Sequence, residues 1–253
     1  MIAREAPYAM IAPVYDRLIG DAGLEPIWDA FRHSRGRYRI RFAKAADIAC
    51  GTGRFLARLA RAADPDARLY GVDRSAAMLG VARRRLASTG VVLLRQDMRA
   101  LALPEPADLL TCNFSSIGYL TDIAQLQATL VKFYRNLCFN GLLIFDTMVG
   151  NNQAPVAGRL RQQIALPGFA GHWDARPSAS KRGSVVDMSS CVQQADGRRV
   201  CGRERHVQRW WPRPTLEQLL TGTGFRVLGV HRLTDWGAAG PADRWVQFVA
   251  RRG

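Results

Sequence analysis

The sequence has no run of about 18 apolar residues, so no membrane-spanning helix is expected. Its first residues, MIAREAPYAM, lack the long apolar core of a secretory signal, and a cytoplasmic protein is expected. None of the five cysteines (Cys50, Cys112, Cys138, Cys191, Cys201) form a CxxC pair, and the four histidines are scattered. That spacing argues against a bound metal. The odd cysteine count argues against a disulfide framework, so free thiols are the expectation. Internal repeats and low-complexity segments are absent. Acidic residues are scarce: 21 Asp+Glu stand against 36 Lys+Arg, a formal charge of +15. Such an excess can serve a nucleic-acid partner. Here the positive residues are dispersed and almost all arginine, which fits GC-rich codon usage better.

What is present is a large apolar fraction, 48% of 253 residues, enough for a full core. From Lys44 to Thr147 short apolar runs alternate with helical periodicity, the pattern of βαβ units and a parallel sheet. The runs predict strands over 44–49, 67–73, 91–97, 107–114 and 141–147. Ser75 is a plausible N-cap after the second strand, and Thr121 or Asp122 after the fourth. Leu126, Leu130, Tyr134 and Leu137 form the apolar stripe of the fourth helix. Two helical stretches, 9–19 and 25–36, precede the first strand. Further on, two β-type runs over 182–194 and 198–210 flank the turn sequence ADG and read as a hairpin. PVAGRLRQQ, just before, reads as a short solvated helix. Thr215 and Gln218 suggest a capping box for a helix to about Thr223. Two final strands, 225–233 and 244–252, should be antiparallel neighbours.

In an open parallel sheet, ligands sit beyond the carboxyl ends of the strands. Those ends are Cys50-Gly51-Thr52-Gly53, Asp73, Asp97-Met98 and Asn113-Phe114-Ser115. Glycines let a ligand approach the backbone, and the helix starting near Gly53 directs free N–H groups at it. Asp73 lies about 20 residues on, the spacing at which an acidic residue accepts ribose hydroxyls. Asp97 can accept from an adenine amine, Met98 can pack on its ring, and Asn113 can meet a zwitterionic tail. Leu56 occupies the place of the third glycine in G-x-G-x-x-G, which disfavours a dinucleotide. No G-K-[ST] loop is present.

DIACGTG, GVDRSAAML, QDMR and CNFSSIGYL, in this order and spacing, resemble the successive motifs of class I S-adenosylmethionine-dependent methyltransferases. The chain is similar to the small-molecule type, including amino-sugar N-methyltransferases. YAMIAPVYDRL resembles their N-terminal helix, and ERHVQRWWP resembles their E-x-H-x-x-R lid strand. The resemblance implies an α/β fold: a doubly wound, mostly parallel seven-stranded sheet with N-terminal helices and an inserted β lid. The expected parts are a helical cap (1–43), a cofactor-binding core (44–149), the lid and substrate region (150–212), and a helix with terminal hairpin completing the sheet (213–253). S-adenosylmethionine is the implied cofactor and S-adenosylhomocysteine the product. Its expected ligands are Tyr15, Ala49, Cys50, Gly51, Thr52, Gly53, Asp73, Arg74, Met78, Asp97, Met98, Asn113, Phe114 and Ser115. Tyr8, Tyr119, Glu204 and His206 are expected to meet the substrate. His206, Tyr15 and Asp174 are the candidate catalytic groups. None is an obvious base, which favours an amine or an activated carbon over oxygen; nitrogen is the leading expectation, with oxygen and carbon as alternatives.

The expected partner is a small molecule, not nucleic acid or a membrane. The oligomeric state is left open, a homodimer included. Attack on the cofactor's aminobutyrate chain, RNA methylation and cofactor sensing without catalysis are the alternatives.

Overall fold

The computed structural model describes residues 3–150, 159–178, 182–193 and 196–253. Its core runs β2 (Lys44–Ile48), α2 (Arg54–Ala62), β3 (Arg68–Asp73), α3 (Ala76–Arg85), β4 (Val92–Arg95), β5 (Ala107–Cys112), α4 (Ile123–Arg135) and β6 (Leu137–Met148). Before it lie β1 (Ala3–Arg4) and α1 (Tyr15–Arg37). After it come β7 (Leu160–Leu166), β8 (Phe169–Pro177), β9 (Gly183–Gln193) and β10 (Arg199–Arg209). The chain closes with α5 (Arg213–Thr223), β11 (Phe225–Arg232) and β12 (Trp245–Arg252).

The main sheet has seven strands in the order β11-β12-β6-β5-β2-β3-β4. β2 to β6 pair in parallel, and β12 is antiparallel to both β6 and β11. Chain order reverses at β2, with β3 on one side and β5 on the other. This is the expected doubly wound sheet, and its switch point is where a ligand crevice belongs. Both faces are covered. Leu24, Ile27, Phe31, Phe55, Leu56 and Leu59 pack on one face. Leu126, Leu130, Phe133, Leu216 and Leu220 pack on the other. β2 is accordingly buried along most of its length, as a central parallel strand must be.

Several boundaries depart from the sequence expectation. β6 runs from Leu137, not Gly141, because the strand passes through an irregularity with Asn140 at φ 62°. The Asn-Gly pair is a kink inside the strand, not its start. Leu137 therefore lies in β6, and the α4 stripe is Leu126, Thr129, Leu130 and Phe133. Asp122, not Thr121, caps α4, accepting from the N–H groups of Ala124 and Gln125. Ser75 caps α3 as expected, accepting from Met78 N–H. α5 has no capping box: it begins at Arg213, and Pro214 sets its first turn without a side-chain cap. Residues 9–14 are turns, and the two expected N-terminal helices merge into α1, kinked at Gly20 (φ 63°).

The region expected as a lid is larger than a hairpin. It is a five-stranded sheet ordered β1-β10-β9-β8-β7, with β1 pairing parallel to β10. The expected β9–β10 hairpin is present, though Ala195 of its turn lies outside the described residues. PVAGRLRQQ is not helical in its described part: Leu160 to Gln163 belong to β7, and residues 155–158 lie outside the described residues. The turn joining β7 to β8 is Pro167-Gly168, with Gly168 at φ 74°.

The free-thiol expectation fails at one pair. Cys191 and Cys201 face each other across β9 and β10 and form a disulfide. Strand register, not local spacing, brings them together with Cα atoms 4.0 Å apart. Cys50, Cys112 and Cys138 remain free. Alkylation of the unfolded, unreduced protein should label three thiols, and five after reduction. Labelling of all five without reductant would refute the pairing. A bridge across a 10-residue separation should stabilise the lid by about 2–3 kcal/mol, read as earlier urea unfolding after reduction.

Candidate functional site

The ends of β2, β3, β4 and β5 surround one cavity, and the N-terminal segment covers it. Its lining is drawn from the loops after all four strands and from the N-terminal segment. Its floor is the loop after β2. Ala49 (φ 57°), Gly51 (φ 55°) and Gly53 (φ 77°) turn the chain sharply there. A Cβ built on Gly51 meets nothing within 4 Å, so the backbone itself faces the open space. At Gly53 the left-handed φ of 77° favours glycine, and a Cβ there would also crowd Leu86 Cδ1 at 2.9 Å. Leu56, in the third-glycine position, is buried against β3, where Gly71 makes room: a Cβ at Gly71 would lie 2.6 Å from Leu56 Cδ2.

Asp73 fixes the loop. Its Oδ2 accepts Gly51 N–H at 2.9 Å and its Oδ1 accepts Ser75 N–H at 2.8 Å. Burial raises its carboxyl above the usual range, and those main-chain donors oppose the rise. Asp97 accepts from the Arg99 side chain at 3.0 and 2.7 Å and from Arg99 N–H at 2.9 Å. That guanidinium holds Asp97 below the ordinary carboxylate range.

Of the residues singled out in the sequence, Tyr15, Ala49, Cys50, Gly51, Thr52, Asp73, Arg74, Met78, Asp97, Met98 and Phe114 line the cavity, with Tyr8 and Tyr119. Gly53, Asn113 and Ser115 do not. Gly53 caps α2. Asn113 is buried, donating to Asp47 at 3.4 Å, with its Oδ1 unpartnered. Ser115 turns to Asp146 and to Met148 N–H. Asp146 accepts the N–H groups of both Phe114 and Ser115, two non-glycine residues at positive φ, and the indole of Trp245. Burial pushes Asp146 up to about 6.

Three candidate groups lie elsewhere. Asp174 sits on β8, paired with Arg159 and Arg161, away from the cavity. Glu204 and His206 are on β10, buried behind the tyrosines. Glu204 accepts the N–H groups of Tyr8 and Met10 and so anchors the N-terminal segment. His206 does not line the cavity: its Nδ1 lies 2.8 Å from the Tyr119 hydroxyl, and its ring packs edge-on against Tyr8 with centroids 4.7 Å apart. Sequence periodicity puts both side chains on one strand face; it does not say that the tyrosines stand in front.

Arg54, Phe55, Ser75, Gln96, Arg99, Ser116 and Leu120 also line the cavity and were not anticipated. Gln96 and Arg99 flank Asp97-Met98 in QDMR, so that motif carried a signal. Arg54 lacked one: it donates to the Gly20 carbonyl and pairs with Asp21, holding α1 at its kink over the loop. Asp16 on α1 accepts from Thr52 Oγ1 at 2.6 Å, a second fastening.

Residues 45–141 match the family model described as a methyltransferase domain. The matched stretch holds β2 to β5, the strands whose ends form the cavity. Over 110 residues it is 37% identical to the dTDP-3-amino-3,6-dideoxy-alpha-D-glucopyranose N,N-dimethyltransferase of Streptomyces fradiae; this covers 44% of the chain and 41% of that relative's length. Its fold is similar to that of an S-adenosylmethionine-dependent methyltransferase from Clostridium acetobutylicum ATCC 824, with TM-score 0.80 and 21% identity over 96% of this chain and 98% of that one. The sugar N-methyltransferase KedS8 from Streptoalloteichus sp ATCC 53650 matches with TM-score 0.68 and 25% identity, over 90% of this chain and 87% of that one. The expected fold is therefore met, and the family model agrees with the expected resemblance over residues 45–141.

Behind the methyltransferase domain's loop, Asp47 is buried on β2, accepting from Thr111 Oγ1 at 2.7 Å. Burial pushes its carboxyl up to about 7. The folded state thus keeps a proton that the unfolded chain releases near pH 4. Stability from this group is full below pH 4 and lost as pH rises to 7. Asp73 and Asp146 act in the same direction. Asp47→Asn should flatten the stability profile between pH 4 and 7 and gain roughly 1–3 kcal/mol at pH 8, measured by urea unfolding. An unchanged slope would contradict a protonated Asp47.

Proposed function

We propose that the cavity binds S-adenosylmethionine and that the protein methylates an amine on a small molecule, with amino sugars the leading acceptor class. The observation carrying this reading is the convergence of Gly51, Asp73, Asp97 and Met98 on one cavity at the sheet's switch point. The bare backbone at Gly51 accommodates the cofactor's methionine end. Asp73 accepts from the ribose hydroxyls, Met98 packs on the adenine, and Asp97 with Gln96 meets its polar edge. Bound there, S-adenosylmethionine supplies a methyl group already activated by its sulfonium.

The residues then have to position the acceptor and exclude water. Holding reactants roughly 3–3.5 Å apart in line can supply about 7–11 kcal/mol of the barrier. Tyr8, Tyr15 and Phe114 shield the cavity with apolar ring surface. No histidine or glutamate lines it among the described residues, and both lining carboxylates are engaged. An amine, which needs only loss of its proton, suits such a wall better than a hydroxyl does. The amino-sugar class is favoured by likeness to the Streptomyces fradiae enzyme and to KedS8, both named as acting on sugar nitrogen.

Asp73→Ala should weaken S-adenosylmethionine binding by roughly 1.5–3 kcal/mol in calorimetry, the loss of hydrogen bonds to a charged group. Unaltered affinity would remove the ribose assignment. The sulfur by-product formed with dTDP-amino sugars separates the chemistries. S-adenosylhomocysteine is expected, and methylthioadenosine would replace methyl transfer with attack on the aminobutyrate chain.

A further inference from the structure

Four side chains from three distant parts of the chain form one hydrogen-bonded line, and for a neutral His206 donor–acceptor rules fix its direction. Glu204 sits at the buried end. Its Oε1 accepts Met10 N–H, and its Oε2 accepts Tyr8 N–H at 3.1 Å. An N–H directed at each oxygen is the setting of a carboxylate, which can only accept. His206 Nε2, 3.1 Å from Oε2, must then be the donor. In the neutral ring that leaves Nδ1 as an acceptor. Tyr119 hydroxyl, 2.8 Å away, donates to it. Having spent its only proton, Tyr119 oxygen accepts from Tyr8, whose hydroxyl is 2.6 Å away. Tyr8 in turn has lone pairs left and no proton to offer. Tyr8 and Tyr119 both line the cavity, whereas His206 and Glu204 do not.

We propose that the Tyr8 oxygen is a hydrogen-bond acceptor facing the ligand, reserved for an N–H of the acceptor amine, and that Tyr8, Tyr119 and His206 form a one-way path for its proton. The inference rests on the cofactor reading above and deepens it: the acceptor is a hydrogen-bond donor, not a carbon nucleophile. The transfer balances without another reactant. The amine's proton passes to Tyr8 oxygen and Tyr8's own to Tyr119 oxygen. Tyr119's proton then passes to His206 Nδ1. The product is an imidazolium whose Nε2–H still faces the Glu204 carboxylate. Each N–H or O–H bond broken is matched by one formed. Burial raises both phenols above their ordinary range, so they remain protonated links. Only Tyr8 touches the ligand in this scheme. His206 and Glu204 are positioning residues: Glu204 sets the ring tautomer and holds Tyr8 by its backbone.

Two measurements on the intact protein test the proposal without a turnover assay. Nitrogen-15 NMR of the histidine rings in the S-adenosylhomocysteine complex, with His206→Gln for assignment, should show His206 neutral and protonated at Nε2. Any other state overturns the direction of the line. Calorimetry on the S-adenosylhomocysteine complex then compares a dTDP-3-amino sugar with its 3-deoxy analogue, which lacks the nitrogen. Wild type should bind the amine more tightly. Tyr8→Phe should reduce that preference by about tenfold, with S-adenosylhomocysteine still bound. Tyr119→Phe, which removes the acceptor for Tyr8's proton, should reduce it as well and serves if Tyr8→Phe misfolds. Failure of S-adenosylhomocysteine to bind wild type would overturn the cofactor reading. Binding of S-adenosylhomocysteine with the preference absent from wild type, or untouched in both variants, would overturn the tyrosine path alone.

Discussion

The carboxylate of Asp73 is the interaction on which the cavity depends. It accepts from Gly51 N–H after β2 and from Ser75 N–H before α3, so it ties two βα junctions together at the sheet's switch point. That tie, with the bonds from Cys50 N–H to Val72 and from Thr52 to Asp16, holds the three positive φ angles of the loop from Ala49 to Gly53. The parallel sheet makes the tie available, because β2 and β3 run side by side and end at the same level. Gly71 and Leu56 settle the helix–sheet distance behind it. The larger side chain sits on the helix and the missing one on the strand, the reverse of a dinucleotide loop.

A second carboxylate does similar work one strand over. Asp146 on β6 holds Phe114 and Ser115, each in a conformation that costs a non-glycine residue of order 1 kcal/mol or more. The result is that Phe114 turns into the cavity while Ser115 turns away from it. Asp47 and Asp146 are thus buried, and Asp73 half-buried, on neighbouring strands of a chain with a large positive charge. Their cost is offset by donors from loop backbones and from Thr111, Ser115 and Trp245. Stability is exchanged for a fixed loop geometry, the usual bargain at ligand sites.

The cover is fastened from both ends of the chain. Glu204, 196 residues from Tyr8, fixes the N-terminal backbone to β10. Asp16 and Arg54 fix α1 to the loop it overlies. The lid sheet's own strands are held by the Cys191–Cys201 bridge and by ion pairs of Asp174 and Asp187 with arginines. These acids account for part of the arginine excess as local structure rather than as a nucleic-acid surface. The same packing explains why Asp174 is unavailable for chemistry.

Sequence alone determined the parallel core and the residues at its strand ends. Each apolar run in a buried strand must stop where the chain meets solvent or ligand, so the polar residue at its end marks the cavity edge. Asp73, Asp97 and Met98 were legible for that reason. The β7–β8 hairpin was less so: β7 is largely exposed, β8 is half-buried, and neither carries a clean alternation, leaving the Pro167-Gly168 turn as a signal. Tertiary structure alone decided which side chains near the cavity reach it. Glu204, His206 and Tyr119 lie within one hydrogen-bonded line, yet only Tyr119 meets the open space with Tyr8, because a strand's period fixes the face of a side chain and not what stands before it. The disulfide was decided in the same way, by a register between strands that no local spacing encodes.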